Sequence, residues 1–226
     1  MSFPMNSGLL IYFLAVAFSL PAQASDIAPT SATISPIPDT VWADMQGKSF
    51  DPKVRGCAQR RDLRLLVLPY RDFEGRARMG RMIVHRSVAR TVRDVFVSLY
   101  DGKSFAIARM DLVDVFNGDD DASMAANNTS GYNCRRVSGS ARLSSHARGL
   151  AIDINPLINP FVTGRGTSPK GGEAWDTAEE RSKAAAMPGL ILSGSAITRA
   201  FKARGWSWGG DWRSSKDYQH FSADGR

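Results

Sequence analysis

Apolar and polar positions along the chain fall into blocks of different period. LRLLVLPY (63–70) is apolar almost throughout, and RMIVH (81–85) is a second short apolar run. RDFEGRARMG (71–80) lies between them and carries turn chemistry, which predicts a hairpin. From Ser87 the period lengthens. Val88, Val92, Val95, Phe96 and Leu99 share one helical face, with Ser87 as N-cap and Asp101 and Gly102 as the stop. FAIARM (105–110) reads as another short strand. NGDDDAS (117–123) reads as a polar turn or helix start, because its acids lack the spacing of a calcium loop. GLAIDIN (149–155) alternates: Leu150, Ile152 and Ile154 point to a core, while Ala151, Asp153 and Asn155 point to a polar cleft. Residues 155–172 are a loop punctuated by Pro and Gly. A short helix follows, from Ser195 as N-cap through Ile197, Ala200 and Phe201 to Gly205. In a last strand over 218–222, Phe221 faces the core and His220 the opposite side. Hairpin strands and separated helices without a regular βαβ alternation predict an α+β fold: a small antiparallel sheet with flanking helices.

The N-terminus changes the picture of where this fold works. Gly8 to Leu20 is an apolar core of signal-peptide length, followed by Ala22-Gln23-Ala24, so cleavage is expected after Ala24 and residues 1–24 form a signal peptide. Its n-region has no Lys or Arg, which leaves an uncleaved anchor as the alternative. No cysteine follows the apolar core, which argues against a lipoprotein, and no second apolar stretch is long enough to span a membrane. Residues 25–48 are rich in Ser, Thr and Pro and read as an extended leader. Residues 49–226 form one domain, expected to be monomeric and exported, periplasmic or secreted. The chain of 226 residues has a net charge of +7. Outside the cytoplasm that charge favours an anionic envelope polymer over nucleic acid, for which no aromatic-basic RNA motif or zinc-finger spacing speaks. In an oxidising compartment the two cysteines, Cys57 and Cys134, are expected to pair.

The chemistry concentrates in SSHARGLAIDINP (144–156). Asp153 sits between two isoleucines and needs a salt bridge, a capping role or a metal ion to be tolerated. His146 lies just upstream. His220, in DYQHFS, supplies a second imidazole, and two imidazoles with one carboxylate match the three-ligand set of a catalytic zinc that keeps an open position. Asp217 is expected in the turn entering the last strand, where its carboxylate reaches the same cleft. A metal lowers the pKa of its water to about 7, so a nearby carboxylate suffices as base. Asp211, in GGDW, is the rival base. His85 stands in the early hairpin without a neighbouring acid and reads as structural. Trp206, Trp208 and Trp212 read as core and cleft wall, with Trp208 expected along a substrate groove.

SSHARGLAID fits S-x-H-x-x-G-x-A-x-D and DYQH fits acid-x-x-H. In these motifs the chain resembles the zinc D-alanyl-D-alanine carboxypeptidases, VanX/VanY-like bacterial and phage peptidases that cut peptidoglycan stem peptides. The flanks NNTSGYNCRR, INPLINPFV and WSWGGDW resemble the exported VanY-like branch, and the resemblance covers residues 55–222. It implies the α+β fold shared with lysostaphin-type peptidases and the hedgehog signalling domain. It also implies Zn2+ held by His146, Asp153 and His220, with Asp217 as general base and then acid to the leaving amine. An arginine, Arg135 or its neighbour Arg136, would stabilise the oxyanion, and Ser144 would support substrate or loop geometry. Arg148 stands where many relatives carry an aromatic and is expected to alter substrate preference. The implied activity is a D,D-carboxypeptidase or a related endopeptidase. A non-catalytic zinc-containing cell-wall binding module is the alternative, against which the presence of Asp217 and Arg135 speaks.

Overall fold

The computed structural model describes Met1, residues 31–137 and residues 139–225. The apolar segment at 8–20 and the cleavage site at 22–24 lie outside the described residues. In chain order the elements are β1 (Thr33–Ser35), α1 (Asp39–Met45), β2 (Leu63–Arg71), β3 (Ala77–His85), α2 (Ala89–Asp101) and α3 (Asp120–Ala125). Then follow β4 (Ala151–Asp153), β5 (Phe161–Thr163), β6 (Gly166–Ser168), α4 (Ala178–Lys183), α5 (Ala196–Lys202), β7 (Ser207–Trp208), β8 (Lys216–Asp217) and β9 (His220–Ser222). The strands make three antiparallel three-stranded sheets, ordered β1-β2-β3, β4-β9-β7 and β6-β5-β8. The fold class is therefore α+β.

The β2–β3 hairpin pairs from Leu63↔His85 to Arg71↔Ala77. It is covered on both sides, which is why LRLLVL reads as a continuous run rather than an alternation. On one side Leu66, Leu68, Met82 and Val84 meet Val92, Val95, Phe96 and Leu99 of α2, together with Ile152, Ile154, Phe201 and Phe221. On the other side Leu65 and Ile83 meet Ile37, Met45, Phe50 and Tyr132. Cys57 and Cys134 lie in this second cluster and are joined by a disulfide, 77 residues apart in sequence. Among the described residues no helix is long and apolar enough to cross a membrane.

Four local expectations need correction. Residues 33–45, expected within an extended leader, form β1 and α1. Widely spaced Ile37 and Met45 are buried there, and such spacing gives no period to read. The N-cap of α2 is Val88, because the Ser87 hydroxyl turns back to His85 Nδ1 at 2.7 Å. FAIARM is not a strand: its only ladder contacts are isolated bridges at Ala106 and Arg109. The reason lies in Asn155, which faces the interior rather than a cleft. Its side-chain amide donates to Ala106 O at 2.9 Å and accepts from Ala108 N at 2.9 Å, doing with one side chain what a neighbouring strand would do.

Candidate metal centre

The motif folds as a tight turn followed by a strand. Ser144 Oγ accepts from His146 N at 3.2 Å and steadies the start of a 3-10 turn over His146–Arg148. Gly149 ends that turn in the left-handed region, with φ 67°, and its carbonyl accepts from His85 N at 2.8 Å. A Cβ at Gly149 would stand 2.6 Å from His85 N, so only glycine lets the turn lie against β3. The chain then enters β4, where Asp153 pairs with Ser130 on one side and directly opposite His220 of β9 on the other. Directly opposed residues of an antiparallel pair share a face, which brings the carboxylate to the imidazole. Their neighbours Ile152 and Phe221, also opposed, both face the core.

His146 Nε2 stands 3.1 Å from Asp153 Oδ2, His220 Nδ1 stands 3.0 Å from Asp153 Oδ1, and the two ring nitrogens are 3.2 Å apart. All three residues are buried. His146 Nδ1 lies 2.8 Å from the carbonyl of Gly131. A carbonyl only accepts, so Nδ1 carries the hydrogen, and Nε2 is left to present its lone pair to the cluster. A carboxylate and an imidazole lone pair thus converge with the second ring nitrogen. The spacing fits a cation: N and O ligands about 2.0–2.1 Å from a tetrahedral zinc lie about 3.3–3.4 Å from one another. Without a cation, burial opposes ionisation of Asp153, but His146, if also protonated at Nε2, and His220 hold its pKa well below the usual carboxylate range.

Asp217 enters from β8, where it pairs with Phe161 of β5. Gly209 lies directly behind it. A Cβ there would stand 2.5 Å from Asp217 O and 2.7 Å from its Cβ, so the close approach requires glycine. The Asp217 Oδ1 atom is buried and has no hydrogen-bond partner. Burial, opposed by His220 and reinforced by Asp153, pushes the carboxyl up to about 7. Asp211, the rival base, is half exposed and ion-paired with Lys202 at 2.5 Å.

The arginines separate clearly. Arg135 pairs with Asp120 at 2.7 Å and keeps a buried Nε without a hydrogen-bond partner. Its carbonyl accepts from Ser144 N at 3.1 Å, which ties it to the start of the histidine turn. Arg136 is exposed and donates to Ala141 O in the neighbouring turn. Arg148 binds Asp224 and reaches Ser145 Oγ at 3.3 Å, and the Ser145 hydroxyl also donates to Asp224. Trp208 does not line a groove. It is 4% exposed in the main core, and its indole donates to Tyr218 O at 2.9 Å. The indole beside the cluster belongs to Trp212, whose ring centroid is 5.6 Å from that of His220. WSWGGDW gave no means to choose among its tryptophans, because the short turn over Gly209–Asp211 resets the alternation between Trp208 and Trp212.

Comparison with known proteins agrees with the geometry. Residues 138–223 match the family model described as D-alanyl-D-alanine carboxypeptidase, a span that holds all three members of the buried cluster and Asp217. No curated protein and no solved structure matches the chain. Residues 138–223 are thus similar to the D-alanyl-D-alanine carboxypeptidase family, and the buried His-Asp-His group they hold is consistent with a zinc site.

Proposed function

We propose that the protein is an exported zinc peptidase that hydrolyses peptidoglycan stem peptides, as a D-alanyl-D-alanine carboxypeptidase or a related endopeptidase, in cell-wall remodelling. The observation that carries this reading is the triangle of His146, Asp153 and His220 with an unpartnered, buried Asp217 oxygen in the same matched segment. His146 Nε2, an Asp153 oxygen and His220 Nδ1 would hold Zn2+, which when bound supplies the Lewis acidity that polarises the scissile carbonyl and makes water nucleophilic near neutral pH.

The remaining work falls to protein groups. Asp217 takes the proton of the attacking water at Oδ1 and returns it to the leaving amine. Burial raises its pKa towards neutrality in the metal-free protein, and a bound cation would draw it down and favour the carboxylate that serves as base. Arg135 is the oxyanion partner in this reading. Its spare buried Nε and its tie to the histidine turn support it over Arg136. Such a fixed donor contributes about 3–4 kcal/mol to a transition state. Trp212 forms an apolar wall beside His220. Export is supported by the disulfide, which persists in oxidising compartments. A non-catalytic wall-binding module would have no use for a buried carboxyl held at high pKa beside its metal ligands.

The test is to measure metal in the purified protein and incubate it with stem peptides ending in D-alanyl-D-alanine. Product masses separate loss of terminal D-alanine from internal cleavage. Stoichiometric zinc with cleavage by wild type and not by Asp217→Ala is expected. Zinc without cleavage of any stem peptide would leave the binding module as the function.

A further inference from the structure

Arg181 of α4 is a charged side chain that the proposed chemistry does not use. It is 2% exposed, and among the described residues no carboxylate pairs with it. Burial lowers its pKa to about 10, which still leaves it charged at neutral pH. A buried charge of this kind is costly, and an apolar side chain would fill the space without that cost. What an apolar side chain cannot do is bind several acceptors at once. Arg181 Nη1 donates to Ile158 O at 3.1 Å and Trp175 O at 3.0 Å, and Nη2 donates to Asn159 Oδ1 at 3.0 Å and Ile191 O at 2.6 Å. Its guanidinium also lies 3.8 Å from the ring centroid of Tyr218.

These contacts fall on both sides of one rung. Ile158 and Asn159 lie just before β5, and Tyr218 lies just after β8. The rung between them is Phe161↔Asp217, flanked by the bond from Tyr218 N to Pro160 O at 3.2 Å. Asp217 Oδ1 has no hydrogen-bond partner, and the hydrogen bond the carboxyl does make is with Gln219, two residues on, so its position follows the backbone of β8 and the turn after it. That strand is two residues long and pairs with β5. We infer that Arg181 is a positioning residue for Asp217: it grips the β5 and β8 segments together and so fixes where the base stands relative to the metal ligands. This rests on the peptidase reading above for its catalytic consequence, though the grip itself does not.

The test uses the full chain with Arg181→Lys, which keeps the charge but loses the planar fork, and Tyr218→Leu, which removes the stacking surface. In the metal-free protein, amide exchange should speed up at 161–163 and 216–218 in both variants and stay unchanged in the β2–β3 hairpin. With zinc restored, bound metal should stay at the wild-type level. With a D-alanyl-D-alanine-terminated stem peptide, kcat should fall about 10²-fold, the cost of a displacement near 1 Å, with KM within about threefold of wild type. Wild-type exchange in these strands or an unchanged kcat would overturn the inference. So would faster exchange throughout the protein, lost zinc, or failure of both variants to fold, each of which would make Arg181 a general packing residue. If wild type cleaves nothing, the peptidase reading fails while the exchange measurement still decides the grip.

Discussion

Two buried polar clusters lie a few residues apart in this fold, and they are built on opposite principles. Around Asn155, Asn159 and Arg181, donors meet acceptors. Asn155 serves Ala106, Ala108 and Gly189, Asn159 serves Ile154, Gly189 and Ile191, and Arg181 serves four oxygens. Around Asp153, groups that accept protons or cations point at one another, and the Asp217 oxygen beside them is left unpartnered. The first cluster is closed by its own chain at every donor and acceptor but the Arg181 Nε, and it organises a loop poor in regular structure. The second gathers ligand atoms that could hold a metal ion. Burial and polarity are common to both, so neither marks a site. What marks the site is that a carboxylate and two imidazoles converge within metal-ligand distance of one another.

The comparison is broken most directly by removing a ligand. His146→Ala or His220→Ala should lose both bound metal and measurable turnover, read by metal analysis and peptide hydrolysis. Asp217→Asn should keep the metal and lower kcat by about 10²–10⁴-fold. The same variant should stabilise the metal-free protein at pH 8. The carboxyl titrates at about 7 in the fold and near 4 unfolded, so the folded state holds a proton between these values that the unfolded state has lost. Stability therefore falls as pH rises through that window, and the cost, on the order of 2–4 kcal/mol, is fully present above it. Denaturant melts from pH 4 to 8 should show this slope in the wild type and not in Asp217→Asn.

A smaller effect sharpens the other side. Asn155→Leu leaves buried partners at Ala106, Ala108 and Gly189 unserved and should cost about 2–3 kcal/mol in denaturant melts, with zinc content unchanged. Replacing both Cys57 and Cys134 with serine should cost a similar 2–4 kcal/mol or so by freeing a long loop of the unfolded chain. Because Cys134 adjoins Arg135, it should lower turnover more than it lowers bound metal.

Much of the candidate metal centre was legible because its residues obey local rules. The alternation in GLAIDIN and the split between His220 and Phe221 put ligands and core on opposite faces before any contact was known. The single helical face of α2 was equally plain. What escaped depends on contacts between distant segments. Arg181 in AEERSK looks like a solvated helix face, and the return of Ile158, Asn159, Ile191 and Tyr218 makes it interior. Asn155 continues the cleft side of β4 in sequence, yet its φ of 47° turns it away from the alternation. FAIARM has the composition of a strand and lacks a neighbouring strand to pair with over its length.

The pairing of Asp153 with His220, next to that of Ile152 with Phe221, couples correct assembly to correct chemistry. Strand side chains alternate with period two, so a one-residue slip of β9 would swing the imidazole into oil and the phenyl ring onto the carboxylate. The same error that dismantles the His-Asp-His group also unseats an aromatic from the interior. Misregistered molecules are therefore weeded out by their own instability, and parity along a three-residue strand acts as a proofreader for the candidate metal centre.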